Sequence, residues 1–161
     1  MPVLKELFKT MPQLGKVEWI GLRPARRADI KEVEEVEATT TEGLVGDRYS
    51  GSNGNRHVTL IQKEHIDTVA SILKQGAVHP NLLRRNIVVS GINLLALKEQ
   101  RFKIGKEVIL ETTGLCHPCS RMEENLGAGG YNAMRGHGGI TARVIQGGRI
   151  QLGDALELYL E

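Results

Sequence analysis

A chain of 161 residues is long enough for one domain that buries roughly two-thirds of its unfolded surface. Hydrophobic residues at 40% and charged residues at 25% exclude disorder along the whole chain. The charge is close to balance, 21 basic residues against 19 acidic, which argues against the basic face that nucleic acid requires.

The first nine residues carry charges inside their only apolar run and no cleavage pattern, so they do not read as a signal peptide. No apolar run approaches the roughly eighteen residues of a membrane-spanning helix. With two cysteines and no export signal, the expectation is a cytoplasmic chain with reduced thiols and no membrane contact. Alternation in Lys16-Val-Glu-Trp-Ile-Gly21 predicts a first strand, stopped at Arg23-Pro24. Residues 30–38, with Val33 and Val36 among glutamates, read as a second strand. Residues 43–55 form a long polar loop, a feature that in a compact domain is functional or mobile.

His57-Val-Thr-Leu-Ile61 reads as a strand. Ile66, Val69, Ala70 and Leu73 then share one helical face. Glu64 and Asp67 near its start and Lys74 near its end suit the helix dipole, with Gly76 as the predicted stop. Asn86-Ile-Val-Val-Ser90 is a further strand, and residues 101–111 form two strands hinged at Gly105. Residues 140–145, a turn at Gly147-Gly148 and residues 156–160 complete the pattern. Strands outnumber helices, and no regular βαβ alternation appears. Nineteen glycines supply turns or close backbone approaches. The expected fold is mainly β: one closed or half-closed β-barrel with a few short helices.

The chemistry concentrates in Leu115-Cys-His-Pro-Cys-Ser-Arg-Met-Glu123. Ser120-Arg-Met-Glu123 has the form of a capping box and predicts a helix over residues 121–126, ended by Gly127. Cys119 would then precede the helix start, with Arg121 in the first turn, where the thiolate form is favoured. Other readings of the two cysteines are small core residues, half of a zinc site or a dithiol redox pair. Residues 127–139 contain six glycines with Arg135 and His137 among them. Glycines let backbone amides converge on an anion and arginine clamps phosphate, although such stretches also serve simply as turns. Arg48, Arg56 and Arg135 are expected to converge on one anion.

Gly46-Asp47-Arg48, Arg56-His-Val-Thr-Leu-Ile-Gln62, Arg85-Asn-Ile-Val-Val-Ser-Gly91, Pro118-Cys119 and Gly153-Asp154 together resemble the MOSC domain, named for the C-terminal region of molybdenum cofactor sulfurases. The resemblance runs from about Lys16 to Leu160 and implies that residues 1–161 are a single MOSC domain with its core at about 16–160. It implies a β-barrel whose cysteine carries sulfur or binds molybdenum, with the pterin phosphate held by basic and polar residues. By position Cys119 takes that role, as catalytic residue and metal ligand. Arg48, Arg56 and Asn86 become candidates for the molybdenum cofactor (molybdopterin) pocket, joined by Arg135 and His137 from the glycine-rich stretch. The resemblance implies a sulfur carrier or part of a reductase for N-hydroxylated compounds, served by an electron donor or a cysteine desulfurase. The pyridoxal-phosphate domain of full sulfurases is not matched, and no PLP is expected in this chain. The alternative is a non-catalytic barrel that binds a phosphorylated ligand, with Cys119 structural.

Overall fold

The structure, a computed structural model of the chain, describes residues 3–48 and 54–161. In chain order the elements are α1 (Leu4–Phe8), β1 (Gly15–Leu22), β2 (Lys31–Val33), β3 (Glu35–Thr39), β4 (Gly43–Leu44), β5 (Val58–Gln62) and α2 (Lys63–Ile72). They continue with β6 (Ile87–Ser90), β7 (Arg101–Ile104), β8 (Val108–Leu115), α3 (Arg121–Leu126), α4 (Gly130–Met134), β9 (Ile140–Gln146), β10 (Gly148–Gln151) and β11 (Ala155–Tyr159). Single turns of tighter helix at Pro80–Leu83 and Leu94–Leu97 flank β6.

Seven strands close into a barrel in the order β1-β11-β7-β8-β9-β5-β6, returning to β1, and β2 adds to the outside of β1. Only β5 and β6 run parallel. The closing contact between β1 and β11 spans two residue pairs, Gly15 with Leu156 and Lys16 with Ala155. The Gly153-Asp154 motif works at this seam. Gly153 takes a φ of 87°, its amide donates to Val17 O at 2.9 Å, and the Val17 amide donates to Asp154 O at 2.9 Å.

Alternation along the strands divides the apolar residues between two cores. Val17, Ile20, Leu60, Ile87, Val89, Phe102, Leu110 and Val144 fill the barrel. Trp19, Ile61 and Val88 point outward and are covered by Ile66 and Val69 of α2, Met122 and Leu126 of α3, and Ala133 and Met134 of α4. β5 is therefore buried on both faces, which explains its unbroken apolar run.

The expected barrel and its strands at 15–22, 58–62, 87–90, 101–104 and 140–146 are present. Three local expectations are corrected. Residues 30–38 are two strands: β2 joins the barrel, and β3 leaves it to pair with β4 and β10 in a small second sheet. The polar loop begins with β4, and Gly43 (φ 78°) leaves the room that the His57 side chain fills. Its centre, residues 49–53, lies outside the described residues. Helix α2 ends at Ile72, and Lys74, two residues on, takes the left-handed conformation (φ 57°) expected of Gly76.

Candidate functional site

β8 carries an irregularity between Thr112 and Gly114 and then leaves the barrel at Leu115. The segment 116–120 that follows hangs between the barrel and α3. Its two thiols face differently: Cys116 is buried and Cys119 is exposed. The backbone of the segment is pinned on one side by the Cys116 amide, which donates to Gly139 O at 2.9 Å. On the other side stands Arg85, itself 5% exposed. Its guanidinium donates through Nε to Gly138 O at 2.8 Å, through Nη1 to Leu83 O at 3.0 Å, and through Nη2 to Cys116 O at 3.3 Å and His117 O at 3.5 Å. One buried side chain thus fastens three segments around the cysteine loop.

The predicted helix over 121–126 is present, with Gly127 at its end, but the capping box is not formed. Ser120 already has helical dihedrals, so its hydroxyl does not reach the first-turn amides. The turn opens instead with the Met122 amide donating to Cys119 O at 2.9 Å. Glu123 turns forward rather than back. Its carboxylate accepts from the amides of Tyr131 at 3.0 Å and Gly129 at 2.9 Å, and these two bonds hold its pKa below the usual carboxylate range.

Beside Cys119 opens a cavity of about 250 Å³. Its wall consists of His117, Cys119, Ser120, Glu124 and eight arginines: Arg23, Arg26, Arg27, Arg48, Arg56, Arg84, Arg85 and Arg121. The chain holds twelve arginines and nine lysines. Two-thirds of the arginines meet here, and none of the lysines does. They arrive from four places: the loop after β1, the two ends of the segment between β4 and β5, the turn before β6, and the start of α3. The choice of arginine has a chemical meaning, because its planar fork binds oxyanions in pairs of hydrogen bonds and keeps its charge when dehydrated. Arg27 and Arg84 both hold left-handed dihedrals (φ 63° and 60°), a conformation that non-glycine residues adopt mainly where their surroundings demand it.

A buried ionic network forms the floor. Arg23 donates to Asp47 through its amide at 2.8 Å, through Nε at 3.0 Å and through Nη2 at 2.8 Å. Asn86, fully buried, ties this pair to the barrel. Its Oδ1 accepts from Arg23 Nη2 at 2.9 Å and the Thr59 amide at 3.0 Å, while its Nδ2 donates to Gly21 O at 3.0 Å and Asp47 Oδ1 at 3.1 Å. Burial pushes the Asp47 carboxyl up, but the hydrogen bonds and charge of Arg23, with help from Asn86, outweigh it and hold the pKa below the usual carboxylate range. Removing one member of such a pair strands the other; this costs about 3–5 kcal/mol in buried pairs generally.

The candidates drawn from the sequence therefore separate. Cys119, Arg48 and Arg56 line one cavity. Asn86 lies beneath it as part of the floor, not in its wall. Arg135 and His137 do not line it: Arg135 is exposed, and the His137 ring packs edge-on against His65 with centroids 5.2 Å apart. Of the three arginines expected to converge, Arg48 and Arg56 line this cavity and Arg135 does not, and the backbone of 138–139 packs beneath the cysteine loop. A Cβ at Gly138 would overlap Cys116 O, and one at Gly139 would overlap Leu60 O. Sequence reasoning missed Arg23, Arg26, Arg27, Arg84, Arg85 and Arg121 as wall residues. The signal was present in the doublets Arg26-Arg27 and Arg84-Arg85, each in a polar turn beside a strand.

Among the described residues no group of three or more His, Cys, Asp or Glu stands where it would hold a metal ion, and no helix is long and apolar enough to cross a membrane. No curated protein matches the chain in sequence. Solved structures share its fold. The YuaD protein of Bacillus subtilis superposes with a TM-score of 0.80 at 19% identity, over 92% of this chain and 98% of that one. YiiM of Escherichia coli superposes at 0.68 and 18% identity, over 91% of this chain and 70% of that one. YiiM of Geobacillus stearothermophilus gives 0.70 and 15%, over 91% and 75%. The sequence profile of the MOSC domain matches residues 44–157, a span that holds the cysteine loop, the arginine doublet before β6 and most of the barrel, and the chain belongs to the MOSC domain family.

Proposed function

We propose that this MOSC barrel binds the molybdenum cofactor in the arginine-lined cavity, with Cys119 as the protein's ligand to the metal. The observation that carries the reading is an exposed cysteine opening into a cavity whose wall holds eight arginines and one glutamate. The donor set fits that group. A bare ion needs several protein ligands, and no such cluster stands among the described residues. A metal that arrives with its own sulfur ligands on a phosphorylated organic frame needs one thiolate and one anion site, and this wall offers both. Arg26, Arg27, Arg48, Arg56 and Arg121 would contact the phosphate. Arg23 and Arg85, whose donors are committed to protein acceptors, would contribute charge. When bound, the cofactor supplies a metal centre that exchanges electrons with a substrate, such as an N-hydroxylated compound, and with a partner reductase.

A second reading is that Cys119 carries sulfur as a persulfide. The exposure of Cys119 favours it, since a carrier thiol must meet both a donor and an acceptor. The same exposure speaks against a purely structural cysteine.

The test is molybdenum per chain in protein purified from a host that makes the cofactor. Wild type and Cys116→Ser should carry comparable metal. Cys119→Ser should lose most of it while remaining folded by circular dichroism, because serine offers no thiolate. Equal metal in Cys119→Ser and wild type would overturn the ligand assignment. Wild-type protein without molybdenum would leave the sulfur-carrier reading.

A further inference from the structure

Arg85 is a buried cation that bonds to no carboxylate among the described residues. Its four hydrogen bonds all go to carbonyl oxygens, of Leu83, Cys116, His117 and Gly138. The ionisable groups that act on it are two thiols, Cys116 and Cys119, and two further cations, Arg23 and Arg56. Burial pushes its pKa down, the nearness of Cys116 pushes it back up, and the positive charge of Arg23 lowers it again. The group keeps its proton, so the positive charge remains inside the protein. A buried charge of this kind calls for a compensating anion. Asp47 is already committed to Arg23. The remaining sources are Glu124 in the cavity wall, the sulfurs of Cys116 and Cys119, and a ligand in the cavity.

A sulfur carrier needs a donor, and the wall constrains which kind. A neutral donor would gain nothing from a wall of cations. Eight arginines would instead draw in a small multivalent anion and remove its repulsion from an anionic nucleophile. A cavity of about 250 Å³ admits a small oxyanion.

We propose that Cys119 accepts sulfur directly from an anionic sulfane donor of the thiosulfate class, making the metal-free chain a sulfurtransferase. The inference rests on reading Cys119 as a sulfur carrier and names the chemistry that loads it. The Cys119 thiol first releases its proton to solvent. Its thiolate attacks the outer sulfur of thiosulfate, a new S–S bond forms, and the old S–S bond breaks with its electron pair leaving on sulfite. The products are a Cys119 persulfide anion and sulfite. Charge and electrons balance, and no outside oxidant or reductant enters. The arginines hold the dianion on entry and stabilise the charge that gathers on departing sulfite. Arg85 and Arg121 then face the persulfide anion. A nucleophile removes the sulfur in the second half: cyanide yields thiocyanate and restores the thiolate.

The experiment mixes reduced full-length chain with thiosulfate, reads sulfite released per chain, and locates the added sulfur atom by peptide mass spectrometry. Cyanide is then added and thiocyanate measured. Expected results are one sulfite per chain, sulfur on Cys119, and no release from Cys119→Ser, with Cys116→Ser unaffected. Arg121→Gln should slow sulfite release roughly tenfold, the loss of one charge-assisted hydrogen bond. Sulfate should compete with thiosulfate. An uncharged polysulfide donor should lose less rate in Arg121→Gln than thiosulfate does, and Arg135→Gln, outside the cavity, should leave sulfite release unchanged. Absence of sulfite release, release that survives Cys119→Ser, or equal rates for Arg121→Gln and wild type would each overturn the inference. Molybdenum content measured on the same preparations separates the two readings. Metal held by Cys119 without sulfite release sinks only this inference, whereas sulfite release from a chain that never takes up molybdenum sinks only the cofactor reading.

Discussion

Residues 115–126 and 127–139 follow one another in the chain, and both are rich in the residue types that bind anions, yet they do opposite things. The first segment turns side chains outward: Cys119, Ser120, Arg121 and Glu124 line the cavity, and only Cys116, Met122 and Leu126 are buried. The second turns its backbone inward. Gly138 and Gly139 are buried against Cys116 O and Leu60 O, and the polar side chains of Asn132 and Arg135 are exposed. Glu123 joins the two by accepting amides from the second segment. Glycine richness marks a close approach of backbone to something. In the second segment that something is the chain itself, and the approach is what seats the cysteine loop.

The largest effect expected from this contrast is on stability. Gly139 holds a φ of 87°, and a Cβ there would overlap Leu60 O and stand 3.0 Å from Ile61 Cα, in a strand buried on both faces. Gly139→Ala should therefore cost about 3 kcal/mol or more, from strained dihedrals and a displaced strand together. Gly136 has nearly the same φ, 80°, but nothing within 4 Å of a Cβ position. Gly136→Ala should cost only about 1 kcal/mol, the dihedral penalty alone. Urea unfolding of the two variants separates the contributions. Equal losses would show that Gly139 is not held by packing.

The next effect is on anion binding. Arg121 lines the cavity and Arg135 does not, so Arg121→Gln should weaken sulfate or phosphate binding about tenfold. Arg135→Gln should change it within error. Both are at the surface or partly so, and each should leave stability within about 0.5 kcal/mol of wild type. Calorimetric titration with sulfate at low salt reads the difference. A comparable loss in both variants would mean that general charge, not the cavity, attracts the anion.

Much of the barrel was legible because its strands keep a period of two, and β5 and β6 carry nearly continuous apolar runs between polar turns. The division of 30–38 into β2 and β3 was not. Glu34 marks no break in type, and only the pairing of β3 with β10, more than a hundred residues away, separates the strands. The place of Cys119 just before a short helix was legible from its local segment. The arginine cluster was not, because net charge reports a sum and the clustering is a product of tertiary structure. Arg23, Arg48, Arg84 and Arg121 are far apart in sequence, and the doublets Arg26-Arg27 and Arg84-Arg85 do not by themselves show that they meet. The capping box failed for a local reason: the first turn is entered one residue early, with Ser120 already helical, and Glu123 finds better-placed donors in the next helix.

The smallest effect tests where His137 acts. It was a candidate for the anion pocket, and its ring instead lies 5.2 Å from that of His65 on α2, at 71°. His65 Nδ1 is out of contact with solvent and has no hydrogen-bond partner among the described residues. Burial lowers the His65 pKa, the positive charge of His137 lowers it further, and Glu64 partly offsets both. Folding therefore favours neutral His65. The unfolded chain takes up the proton near the usual value of 6.5, before the folded chain does. The stability contributed by this group is complete above about pH 6.5 and is lost as pH falls through the lower folded value. The ring is partly exposed and screened, so the loss should stay under about 1 kcal/mol. Asp47 titrates at lower pH and does not overlap. Urea unfolding at about pH 8 and about pH 5.5 should show a smaller drop for His65→Gln than for wild type. The same drop in both would place the acid sensitivity outside this pair, whereas a smaller one fixes His137 as a residue that packs the glycine-rich segment onto α2, away from the arginines.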